Sequence, residues 1–134
     1  MSIRAIPLLV FAFILYNVIV LALGVEGLNS GIFSMHLLSG GDWTFTWGDF
    51  ILLVTLLLLF IEIVKSTFTS TSTLIDHALS MIVFIAVLVE FLMVKQAATS
   101  VFFLVLFATL IDVIAGYTIG IRVARRDLSI GGDQ

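Results

Sequence analysis

The residues of this chain best placed to do chemistry are acids set in apolar sequence. Asp112 sits in the run Ala108-Thr109-Leu110-Ile111-Asp112-Val113-Ile114-Ala115-Gly116-Tyr117-Thr118-Ile119-Gly120, and Glu90 sits in a second run that ends at Val94. A carboxylate in hydrocarbon is costly, so each must face protein or a wet cavity. Two chemistries are open to such a group. One is to bind or pass a proton or cation; the other is to act as a hydrogen-bonded packing node between helices. At about 1.5 Å per residue, Asp112 lies roughly 15 Å inside its helix, close to the bilayer centre. Asn17 reaches about the same depth if its helix starts near Ala5. Asn17 is therefore the expected partner of Asp112, with Tyr16 and Thr55 as further candidates. Glu90 is shallower, roughly 10 Å from the opposite helix end, and Lys95 follows it in sequence.

A third group, Glu62, Lys65, Asp76 and His77, flanks the junction between two apolar runs. Carboxylates and imidazole are metal-ligating types, but their spacing matches no ligand motif and a lysine competes for the carboxylates. The expectation is a charge network at the membrane surface, with no metal. The two histidines, His36 and His77, fall at opposite ends of the layout, so they cannot form a paired haem site. No Ser/His/Asp set or phosphate loop is present. The chain is read as non-enzymatic and free of cofactors.

These residues need helices to hold them. Of the 134 residues, 61% are hydrophobic and 11% charged, against about 25% charged in an ordinary soluble domain. That balance places the chain in the membrane class. Four apolar runs of spanning length are expected, at about 6–23, 48–65, 74–95 and 99–122, forming a four-helix all-α bundle in one integral domain. In the last run, Ala108, Asp112, Gly116 and Gly120 recur at i+4 with Ala115 beside them, so small residues share a face with the acid and admit a close helix neighbour. The polar end, 123–134, reads as a loosely structured tail. There is no cysteine, which removes disulfides and thiolate chemistry.

The loop 24–47 alternates in character around Ser39-Gly40-Gly41-Asp42. Phe33, Met35 and Leu37 share one face of the first stretch, and Trp43, Phe45 and Trp47 one face of the second. Period-two alternation about a glycine-rich turn predicts a β-hairpin. Its aromatic residues, Trp43, Phe45 and Trp47, suit either a partner interface or the aromatic belt of a bilayer.

Four spans bring both termini to one side. Arg4, Lys65, Arg122, Arg125 and Arg126 lie on that side and Lys95 on the other, so the positive-inside rule makes both termini cytoplasmic and the hairpin external. The six basic residues form no patch that could track nucleic acid. The run Leu56-Leu57-Leu58-Leu59-Phe60-Ile61-Glu62-Ile63-Val64-Lys65, with the short linker and apolar segment after it, resembles the small four-helix inner-membrane proteins of the phosphate-starvation-inducible E family. The third segment lacks the basic residue expected of that family and has Glu90 nearby instead. The resemblance implies a small protein of the bacterial inner membrane. The expected function is that of a structural or accessory subunit, with the bilayer and other membrane proteins or further copies as partners. The alternative is a small proton or cation transporter using Asp112 and Glu90.

Overall fold

The computed structural model describes residues 6–67 and 73–132, with side chains at all of these except 73, 74, 120, 123, 124 and 126–132. The chain is mostly helical. Helix α1 (Leu9–Leu23) leads through a short 3-10 turn (Val25–Asn29) to strands β1 (Gly31–His36) and β2 (Asp42–Thr46). Helices α2 (Trp47–Ser66), α3 (Thr73–Met93) and α4 (Ser100–Gly132) follow. Three segments, Trp47–Ser66, Ile75–Met93 and Ser100–Ile119, are long and apolar enough to cross a membrane. Helix α1 has 15 residues, or about 22 Å, and is shorter than a full hydrocarbon crossing.

Successive helices alternate in direction. The bundle therefore has a hairpin end, where α1 and α3 finish and α2 and α4 begin, and an opposite end. Helix α4 is the hub, packed against α2 and α3 along its length and against α1 more locally, while α1 lies along α2. The core runs through Leu9, Ala12, Tyr16, Ile51, Val87, Phe102 and Val105. Phe102 is its aromatic centre, with Tyr16 edge-on at 4.8 Å and Phe91 stacked at 6.2 Å. The outer faces of the helices carry exposed Phe60, Leu56, Ile82 and Leu92.

The hairpin forms as the alternation predicts. Its strands pair antiparallel, Phe33 opposite Phe45, Ser34 opposite Thr44, Met35 opposite Trp43 and His36 opposite Asp42. The turn is a three-residue loop, Leu38–Gly40, closed by the Leu37 N–H donating to the Gly41 carbonyl at 2.8 Å. Gly40 takes φ +91° there, a left-handed value that side-chain-bearing residues avoid.

Three boundaries depart from the sequence expectation. Trp47 opens α2 instead of ending a strand, because Thr46 caps the helix: its hydroxyl accepts from the Asp49 N–H and its own N–H donates to the Asp49 carboxylate, both at 3.1 Å. The first span, expected from residue 6, becomes helical only at Leu9, beyond Pro7, which cannot extend a helix towards the N-terminus. The stretch expected as a loose tail continues α4 to Gly132. It contains Ala124, Arg125, Arg126 and Leu128, all good helix formers, and no proline until the end.

Replacing Thr46 with alanine removes one half of the capping box and is expected to lower stability by about 1 kcal/mol. Equilibrium unfolding of the detergent-solubilised protein checks this, and a Thr46→Ser protein restores the wild-type midpoint.

Candidate functional site

Helix α1 begins with no capping side chain of its own. The first N–H groups of any helix lack intrahelical acceptors. At Leu8 the acceptor comes from α2, 54 residues away: the Leu8 N–H donates to Glu62 Oε1 at 2.8 Å. Glu62 is 6% exposed, so a carboxylate is held in the interior against the positive end of α1. Lys65, one turn further along α2, sits 3.4 Å from the same oxygen and donates to the Ile6 carbonyl at 3.4 Å. A charge-assisted hydrogen bond of this kind contributes about 1.5–3 kcal/mol.

Asp112 of α4 lies beside this knot. It is 5% exposed, takes a hydrogen bond from the Ser80 hydroxyl of α3, and feels the nearby charges of Glu62 and Lys65. One level of the bundle therefore joins all four helices: the start of α1, Glu62 and Lys65 of α2, Ser80 of α3 and Asp112 of α4. A turn further on, His77 of α3 stacks on Tyr117 of α4, ring centroids 4.4 Å apart. Gly116 makes that approach possible, since a Cβ there would lie 3.1 Å from His77 Cε1.

A second polar group forms at the hairpin end. The Tyr16 hydroxyl donates to the Gln96 carbonyl at 2.8 Å and lies 2.7 Å from Thr99 Oγ1. Thr99 Oγ1 in turn accepts the Phe102 N–H at 3.1 Å, the N-cap bond of α4. Asn17 donates to its own helix at the Phe13 carbonyl and is the hydrogen-bonding neighbour of Glu90 on α3. Glu90 Oε2 is buried and accepts no hydrogen bond.

The structure thus separates residues that the sequence grouped. Asn17 meets Glu90 and not Asp112. Tyr16 reaches Thr99, and the Thr55 hydroxyl bonds the Ile51 carbonyl of its own turn. The cause is axial: α1 starts at Leu9 and its first N–H is pinned at the level of Glu62, which leaves Asn17 about 13 Å nearer the hairpin end. Glu90 takes Asn17 as its neighbour and forms no ion pair with Lys95 among the described residues. Of the expected cluster, Glu62 and Lys65 join the knot, His77 packs on Tyr117, and Asp76 adjoins His77. The i+4 face of α4 drifts by about 40° per step. Ala108 accordingly faces α2, while Gly116 faces α3. Ala115 is half-buried, and the surroundings of Gly120 lie outside the described residues. Ser80, Leu8 and Thr99 were not singled out from the sequence. Thr99 carries a signal, since a threonine two residues before a long apolar run fits an N-cap pattern.

A groove of about 190 Å³ lies between α2 and α4, lined by Leu52, Leu56, Leu59, Phe107 and Ile111 among others. None of the acids lines it. Among the described residues no three His, Cys, Asp or Glu side chains come together as metal ligands. No protein-family model, curated protein or solved structure matches the chain.

Replacing Glu62 with alanine strands the Leu8 N–H and leaves Lys65 without its partner. The expected loss is about 3 kcal/mol, against about 1 kcal/mol for Glu62→Gln, which keeps an acceptor. Denaturant unfolding of the two variants in the same detergent gives the comparison. Gly116→Ala forces the His77 ring aside and is expected to cost about 1–2 kcal/mol; the combined Gly116→Ala, His77→Ala protein should recover part of that loss in the same assay.

Proposed function

We propose that this is a non-enzymatic integral membrane protein that crosses the bilayer four times and serves as a structural or accessory subunit. Both termini would lie in the cytoplasm of a bacterial cell and the hairpin outside. The reading is carried by how the interior polar groups are used. Glu62 joins α2 to α1, Asp112 joins α4 to α3, Asn17 faces Glu90 from α1 to α3, and Tyr16 ties α1 to the start of α4. Each contact links two helices, and the groove between α2 and α4 is walled by apolar side chains and Thr55, whose hydroxyl is bonded within its own helix. Polar ties inside and apolar faces outside are what a bilayer demands, because lipid offers no hydrogen bonds and gives no hydrophobic drive to pack helices.

The short first helix fits this reading. Its 15 residues would fall short of a hydrocarbon thickness of about 30 Å. An end left inside the membrane must be satisfied by protein, and the Glu62 carboxylate does that. The charge bias of the flanking residues, five basic groups against one, supports the orientation. The similarity of the second to fourth segments to the phosphate-starvation-inducible E family is in line with a small inner-membrane protein.

Two measurements test the proposal. Native mass spectrometry from mild detergent should show a second copy or a stoichiometric partner; a lone monomer from membranes cross-linked beforehand removes the subunit role. Proteoliposomes of the wild type should pass no more protons or alkali cations than empty vesicles, and Asp112→Asn should leave that baseline unchanged. A flux in the wild type that Asp112→Asn abolishes would replace this reading with transport.

A further inference from the structure

The hairpin has two unlike faces. Phe33, Met35, Trp43 and Phe45 lie on one, and the rings of Phe33, Trp43 and Phe45 touch one another at 5.1–5.8 Å. Ser34, His36, Asp42 and Thr44 lie on the other, where Ser34 pairs with Thr44 at 2.9 Å and His36 with Asp42 at 2.7 Å. The polar face is self-satisfied and open to water. Among the described residues the aromatic face is only partly covered: Phe33, Met35 and Trp43 are 43–50% exposed. A two-stranded hairpin is marginal on its own in water, so a partly covered aromatic face needs something laid against it.

Distances along the chain say what is there to meet it. The 20 residues of α2 span about 30 Å, the thickness of the hydrocarbon layer. Trp47, the first of them, then stands at the hydrocarbon boundary. Trp43 is four residues before it, no more than about 13 Å away along an extended strand. The headgroup layer on each side is roughly 5–7 Å deep. A hairpin standing upright would lift its rings through that layer into water. A hairpin lying flat keeps the rings at the boundary and turns the His36–Asp42 rung outward. Leu21, Leu92 and Met93, all exposed, carry the apolar surface of α1 and α3 up to the same level. Residues 24–49 hold three acids and no Lys or Arg, so the contact is apolar and does not call for anionic lipid.

We propose that the aromatic face of the hairpin lies flat in the headgroup–acyl boundary of the leaflet at the hairpin end, as an in-plane anchor that follows α1 and leads into α2. This rests on the membrane-spanning reading given above.

Trp43 and Trp47 are the two tryptophans of the chain, which allows a direct test. The full-length Trp47→Phe protein, with Trp43 as its single tryptophan, is reconstituted into phosphatidylcholine vesicles carrying bromine at a shallow or a deep acyl position. Trp43 should emit to the blue, lose most of its emission to the shallow bromines, lose less to the deep ones and resist aqueous iodide. Adding phosphatidylglycerol should change none of this. Iodide quenching without bromine quenching puts the face in water and overturns the proposal. Resistance to both puts protein over it, a second copy or another partner, and overturns it equally. The Trp43→Phe protein separates the two levels of argument. Trp47 quenched by bromolipid while Trp43 is not removes the anchor alone; Trp47 quenched by iodide and untouched by any bromolipid removes the membrane reading beneath it. If Trp47→Phe does not fold, Trp47→Tyr takes its place.

Discussion

The bond from the Leu8 N–H to the Glu62 carboxylate fixes where α1 stands, and much of the bundle follows from that position. A helix that starts among apolar side chains has free N–H groups and a partial positive charge at its end. Glu62 supplies an acceptor and a negative charge together, and Lys65 keeps that charge from standing alone while holding the Ile6 carbonyl. With the start of α1 set at this level, Tyr16 arrives at the N-cap of α4 and Asn17 arrives at Glu90. A shift of one residue along the axis, about 1.5 Å, would break both contacts.

Helix α4 distributes the remaining constraints. Its i+4 series of small and polar residues rotates slowly about the axis, so one face serves two neighbours in turn. Ala108 leaves room on the α2 side, Asp112 takes Ser80 from α3, and Gly116 receives the His77 ring. In the bilayer setting proposed above, small residues matter more than in a soluble core. Between apolar helices in lipid the gain comes from close packing and from hydrogen bonds, not from release of water.

The elements were legible in the sequence because each rests on a local pattern. Unbroken apolar runs gave the helices, and alternation about Gly40 gave the hairpin with its rings on one face. The partners of the buried acids were not legible. Nearly uniform apolar helices carry little periodic signal to say which face turns inward, and the axial level of a helix depends on its first capped residue. Counting α1 from Ala5 instead of Leu9 misplaces Asn17 by about 6 Å, enough to pair it with the wrong acid. Glu62 looked like a surface charge because it stands near a helix end beside a lysine. Its role depends on Leu8, 54 residues away, and a backbone N–H leaves no trace in residue type.

The spacing of the polar groups bears on what the bundle can do. Ser80 and Glu90 mark the two polar levels on α3, ten residues or about 15 Å apart. Between them α3 turns Val83, Phe84 and Val87 toward the core, and α4 meets them with Phe102, Val105 and Leu106. The Thr109 hydroxyl in this stretch is tied to the Leu106 carbonyl of its own helix. A proton relay needs successive donors and acceptors within hydrogen-bond reach, or water between them. Among the described residues, apolar side chains and the self-bonded Thr109 lie between the two levels. On the structural reading proposed above, each carboxylate serves the helices around it: Glu62 meets the start of α1, Asp112 lies between α3 and α4, and Glu90 stands where Asn17 of α1 meets α3. Polar groups used in this way fix the relative rotation and height of helices whose apolar surfaces alone would slide past one another.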